Sequence, residues 1–92
     1  MSEETINQRM RKLREHLDLG RQAFADKTGL KKKTIENIES EQQRINGEQI
    51  SAVVKAFPRY AYWLTTGLEL TEVGQISPMT EEIREQLNVK AA

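Results

Sequence analysis

Ninety-two residues make one small domain, large enough to fold alone but with a core that leaves little margin. The chain has no cysteine, which excludes a disulfide framework and a thiolate metal site, and its formal net charge is zero. No apolar run approaches the roughly 20 residues that span a bilayer, and the polar residues 1–4 lack the layout of a signal peptide, so the expectation is a cytoplasmic protein with no membrane association.

The first predicted helix starts near Thr5, with Ile6, Met10, Leu13 and Leu17 forming one apolar stripe and Arg9, Arg11, Lys12 and Glu15 outside it. Asp18, Leu19 and Gly20 break the pattern, and Gly20 is the expected turn residue. A second helix over 21–28 buries Phe24 and Ala25, and Gly29 supplies the positive φ that a tight interhelical turn needs. Leu30 points back to the core. A third helix over 32–40 turns Ile35 and Ile38 inward and leaves Lys32, Lys33, Glu36 and Asn37 on its outer face.

Residues 41–47 read as a polar loop carrying Arg44 and burying Ile45. A fourth helix over 48–57 has Ile50, Val53, Val54 and Phe57 on one face, and Pro58 ends it or begins the next. A fifth over 59–66 carries Tyr60, Trp63 and Leu64 and is capped by Gly67. Residues 68–79 look like an extended connection. Thr80 is the expected N-cap of a last helix to residue 88, whose first turn suits Glu81 and Glu82. Its clear apolar pair is Ile83 and Leu87, so it must pack on its own domain or on a second subunit.

The charge is unevenly placed. Between Arg9 and Lys33 stand nine cations (Arg9, Arg11, Lys12, Arg14, Arg21, Lys27, Lys31, Lys32, Lys33) and three anions (Glu15, Asp18, Asp26), whereas from Ile45 onward four cations face six anions. Such separation fits a basic contact face and a non-contacting half, although a solvated helix face gives the same pattern. Position adds to it. Lysines at the start of a helix oppose the macrodipole, each at a few tenths up to about 1 kcal/mol, and phosphate oxygens outside the helix would offset that cost.

The order of these pieces resembles a known family. A helix, the turn at Gly29, a helix ending in Ile35, Glu36, Asn37, Ile38 and Glu39, a fourth helix and the run from Tyr62 to Gly67 together are similar to phage-repressor helix-turn-helix domains of the Cro and lambda-repressor type, the XRE family. The resemblance covers residues 5–67. It implies an all-α, compact five-helix DNA-binding domain over 1–67, with 68–92 as a C-terminal tail or sixth helix for dimerisation or partner binding.

The resemblance also implies roles. The second helix of such a motif enters the major groove with its N-terminal residues at base edges while the first crosses the backbone. Lys32, Lys33 and Asn37 are then the base readers, with Thr34 and Glu36 at the margin, since asparagine pairs with adenine and lysine reaches guanine. Arg21, Gln22, Lys31 and Arg44 fall where the family contacts phosphates. Arg14 and Glu39 match a pair that braces the recognition helix. The sequence departs from the family in having Arg21 where glutamine is usual, Lys31 where a serine or threonine caps the helix, and Glu39, Ser40 and Glu41 where a glutamate, asparagine and glycine commonly end it.

The implied function is a sequence-specific double-stranded DNA-binding repressor acting as a homodimer on a palindromic operator; the alternative is an antitoxin or anti-repressor whose protein partner binds residues 68–92. A catalytic role has no support. His16 is the only histidine and reads as a surface residue, Phe24 and Trp63 read as core, and the acidic pairs Glu3/Glu4 and Glu81/Glu82 lie at helix starts. There is no phosphate loop, nucleophile elbow or metal-ligand spacing, so no cofactor and no metal are expected.

Overall fold

Thr5 and Gln8 start the first helix by a reciprocal cap. The Thr5 hydroxyl accepts the Gln8 N–H at 3.1 Å, and the Gln8 side-chain oxygen accepts the Thr5 N–H at 2.8 Å. In the computed structural model, which describes residues 4–91 and their side chains through residue 87, α1 then runs Ile6–His16. The turn that follows is made by Asp18, at φ 57°, and not by the expected Gly20, which has an ordinary φ of −71° and serves as N-cap of α2 (Arg21–Thr28). Aspartate is one of the few residues whose short polar side chain tolerates the left-handed region.

Gly29 ends α2 at φ 80° and donates its N–H to Ala25 O at 2.8 Å. An added Cβ there would meet nothing within 4 Å, so the demand for glycine is a backbone demand alone. Next comes α3 (Lys32–Glu39), whose N-cap Lys31 gives no side-chain hydrogen bond. Its exit turn is taken by Glu41 at φ 64°, with the Gln42 N–H donating to Asn37 O at 2.9 Å. Asn46 and Gln49 repeat the reciprocal cap and launch α4 (Gly47–Ala56), both bonds being 2.9 Å. The expected helix over 59–66 divides in two: a 3₁₀ turn, Pro58–Tyr60, leads into α5 (Ala61–Thr66), which Gly67 ends at φ 80°.

The C-terminal segment departs most from expectation. Residues 68–77 are not extended: the Leu70 and Gln75 backbones exchange hydrogen bonds of 2.9 and 3.0 Å around a 3₁₀ turn, Thr71–Val73, with Gly74 at φ 81°. This fold-back delivers Ile76 into the core, where its N–H donates to Arg59 O at 3.0 Å. The last helix, α6 (Pro78–Ala91), starts earlier than expected. Ser77, not Thr80, is its cap, because the Ser77 hydroxyl accepts the Thr80 N–H at 3.2 Å and Pro78 has the fixed φ and missing donor that suit a first helical position.

One core joins α1 to α5 and the segment that leads into α6. Met10 and Leu13 of α1, Phe24 and Ala25 of α2, Ile35 and Ile38 of α3, Val53 of α4, Tyr60, Trp63, Leu64 and Ile76 are buried together, with Leu30, Ile45 and Phe57 packed against them. The Phe24 and Phe57 rings stack at 5.7 Å, a contact worth about 1 kcal/mol beyond its buried area. Among the described residues every regular element is helical, and the fold is all-α.

Candidate nucleic-acid interface

Burial of Ile35 and Ile38 fixes the rotation of α3 about its axis. Lys32 and Lys33 are therefore exposed, with Thr34, Glu36 and Asn37 partly exposed beside them. Lys33 Nζ lies 4.0 Å from Glu36, one turn away. The side chains of Lys31, Lys32, Asn37 and Arg44 make no hydrogen bond or ion pair among the described residues, so their donors are available to a partner.

Two arginines hold α3 in place. The Glu39 carboxylate, 2 % exposed, accepts from Arg14 Nε at 2.6 Å and Nη2 at 3.0 Å, and from Arg21 Nε at 3.1 Å. Arg14 also donates to Leu19 O at 2.9 Å. The hydrogen bond to Glu39 raises the already high pKa of the Arg14 guanidinium, against the opposing effect of burial. One carboxylate thus ties α3 to α1 and α2, and Arg21 divides between this brace and the outside, its side chain being 41 % exposed. Gln22, next on α2, donates to Asp26 at 3.0 Å.

Asn7 has a role that sequence reasoning misses. It is 4 % exposed, and its amide donates to Ile38 O at 3.2 Å, Gln43 O at 2.8 Å and Glu41 at 3.2 Å, while its Oδ1 accepts the Ile45 N–H at 3.0 Å. Four bonds from one α1 side chain shape the loop that leaves α3 and carries Arg44. The available signal is its position three before Met10 and seven before Arg14, on the face that meets α3.

The cationic run is less free than its composition implies. Arg9, placed outside the apolar stripe by spacing, is buried, and its guanidinium donates to Leu64 O at 2.8 Å, Glu4 O at 2.7 Å and Thr65 O at 3.4 Å, which satisfies carbonyls at the end of α5. Lys12 pairs with Glu4, and Arg11 lies 3.7 Å from Glu15. Lys27, Lys31 and Lys32 are the members of that run with no such partner among the described residues.

His16 is not a surface residue. Its ring sits between Tyr60 and Glu82, with Nδ1 3.0 Å from Glu82 and Nε2 3.3 Å from the Tyr60 hydroxyl, at the junction of α1, the Pro58–Tyr60 turn and α6. Burial, together with Glu81, pushes the Tyr60 hydroxyl above its ordinary pKa. Among the described residues no three acidic, histidine or cysteine side chains converge as a metal site would require, and no helix is long and apolar enough to cross a membrane.

Comparison with known proteins adds one match. A family model described as helix-turn-helix matches residues 10–64, from the middle of α1 to α5, and so spans Arg14, Gly29, α3 and Glu39. No curated protein matches the chain.

Proposed function

The chain belongs to the XRE/Cro-type helix-turn-helix family of DNA-binding regulators, and from that premise we propose that it is a repressor of the phage or prophage kind, binding an inverted repeat in double-stranded DNA as a homodimer. The observation that carries the reading is the outer face of α3: the Lys32 and Asn37 side chains have no partner among the described residues, on a helix held by the Arg14–Glu39–Arg21 brace. Recognition needs such a helix, rigid behind and unpartnered in front.

Lys32, Lys33 and Asn37 read base edges, with Thr34 at the margin. Arg21, Gln22, Lys31 and Arg44 contact phosphates and set the register. Lys31 stands at the first turn of α3 with no cap of its own; a phosphate there would meet both its ammonium and the unpaired N–H groups of the helix start. The module acts by binding, without catalysis, in the cytoplasm. One short helix reads too few base pairs to be selective, so two copies on half-sites about 34 Å apart supply the specificity.

A second reading, an antitoxin or anti-repressor of the same fold, draws on the exposed apolar residues between Leu68 and Leu87. A stoichiometric heterologous partner bound through residues 68–92 in a pull-down would favour that second reading, and selection of bound duplexes from a random pool tests the first. The repressor reading expects an enriched palindrome; a pool from which nothing is enriched sinks it.

A further inference from the structure

All large apolar side chains that stand exposed among the described residues lie in one stretch: Leu68 (60 %), Leu70 (37 %), Val73 (68 %), Met79 (70 %), Ile83 (49 %) and Leu87 (59 %). Met79, Ile83 and Leu87 recur every four residues along α6, which puts them on one face. The opposite side of α6 is already engaged, since Glu82 pairs with His16 and Glu81 with Arg59 at 3.1 Å. The turn before α6 is tied to it by Glu69, whose carboxylate accepts the Ser77 N–H at 2.8 Å. A docked helix that keeps an apolar stripe in water is half of an interface.

We propose that this face is the two-fold interface of a homodimer, formed by antiparallel packing of α6 on α6 of a second copy with Ile83 at the axis. The inference rests on the dimeric reading above and gives it a location. Three observations select a second copy in this orientation.

Ile83 lies near the middle of the 14-residue α6, so an antiparallel pair centred on it overlaps along most of the helix, which is about 21 Å long. Met79 of each copy then meets Leu87 of the other, and the C-terminal end of each helix reaches over the 68–75 turn of its partner. The pattern is self-complementary, as a two-fold contact must be.

The charges agree with this direction and oppose the reverse one. Glu69 and Glu72 lie on the turn before α6, at its N-terminal end. Parallel pairing would set the acidic ends side by side. Antiparallel pairing separates them and aligns the two macrodipoles favourably.

The area is sufficient. At about 100 Å² of apolar surface for each fully exposed aliphatic side chain, the six exposures given above amount to about 350 Å² per copy. The pair therefore removes about 700 Å² of apolar surface, or about 1,000 Å² in all at the roughly 65 % apolar share of homodimer interfaces, which meets the minimum for a specific contact.

Because the chain has no cysteine, single cysteines in the full-length protein report the geometry directly. Under mild oxidation Ile83→Cys should give a disulfide-linked dimer, since its Cα atoms approach their own copies at the axis. Met79→Cys alone should link slowly, and a mixture of Met79→Cys and Leu87→Cys chains should link at least about tenfold faster. Ile83→Glu with Leu87→Glu should sediment as a monomer while keeping its helical circular dichroism.

Self-linking of Met79→Cys as fast as that of Ile83→Cys, or a wild-type chain that stays monomeric at about 100 μM, overturns the inference, and so does a monomer that binds a heterologous protein through Ile83. A monomer that still selects a DNA sequence refutes the interface and leaves the DNA reading standing. A dimer linked through Ile83 that selects no DNA does the reverse.

Discussion

Asn37 and Lys31 stand on the same helix surface, yet their removal should cost different things. Asn37→Ala deletes a donor and acceptor pair that can match only one base edge, so it should lower discrimination at one base pair by about 1–3 kcal/mol and leave nonspecific affinity unchanged. Lys31→Ala deletes a charge that, in the proposed complex, meets a phosphate and reads no base. It should weaken binding to all duplexes alike, and fluorescence anisotropy on operator and scrambled DNA distinguishes the two; equal loss on every duplex for both variants removes Asn37 from the reading set. Asn7→Ala should act through stability. It leaves the Gln43 carbonyl and the Ile45 N–H without their partner, a loss of about 2–4 kcal/mol given the cost of unsatisfied buried groups, and a urea midpoint unchanged from wild type would refute it.

At the scale of elements, the start of α6 is sensitive to pH. Hydrogen bonds from the Thr80 hydroxyl and the Ser77 N–H hold the Glu69 carboxyl below the ordinary carboxylate range. A carboxyl with a lowered folded pKa stabilises the fold fully above its unfolded value, about 4.3, and that contribution disappears as pH falls through the folded value. The backbone resonances of residues 77–81 should therefore titrate below about pH 4.3 in wild type, and Glu69→Gln should abolish the transition. This contact was not legible in the sequence, for a physical reason. The α2–Gly29–α3 unit can be read from local periodicity and one backbone requirement, and the outer face of α3 from spacing alone. The fold-back at 70–75, Ser77 as cap, buried Arg9 and the Asn7 bonds all depend on partners brought together by the tertiary structure, 31 to 38 residues apart in the case of Asn7 and the loop after α3. Asp18 and Glu41 add a different case. Each takes a positive φ where glycine would be the natural expectation, and Glu41 gains the Asn7 bond in that position.

Across the whole molecule, a zero net charge predicts no salt dependence for binding a polyanion, and the proposed interface predicts a strong one. What matters is the number of phosphates neutralised and not the sum over the chain, because each contact releases condensed counterions locally while distant carboxylates are screened beyond a Debye length of about 8 Å. In the proposed complex Arg21, Lys31 and Arg44 would give three phosphate-contacting cations per copy and six per dimer. At about 0.9 per phosphate the logarithm of affinity should fall with the logarithm of salt at a slope near −5, so that affinity drops about a thousandfold between 50 and 200 mM. Lys31→Ala should reduce that slope by about two in the dimer, one per copy. The monomeric Ile83→Glu, Leu87→Glu variant should show about half the wild-type slope on a single half-site, since halving the subunits halves the contacts without altering charge per chain near α3. A wild-type slope near zero would mean that the basic run is only a solvated face, and the roles assigned to Arg21, Lys31 and Arg44 would fall together.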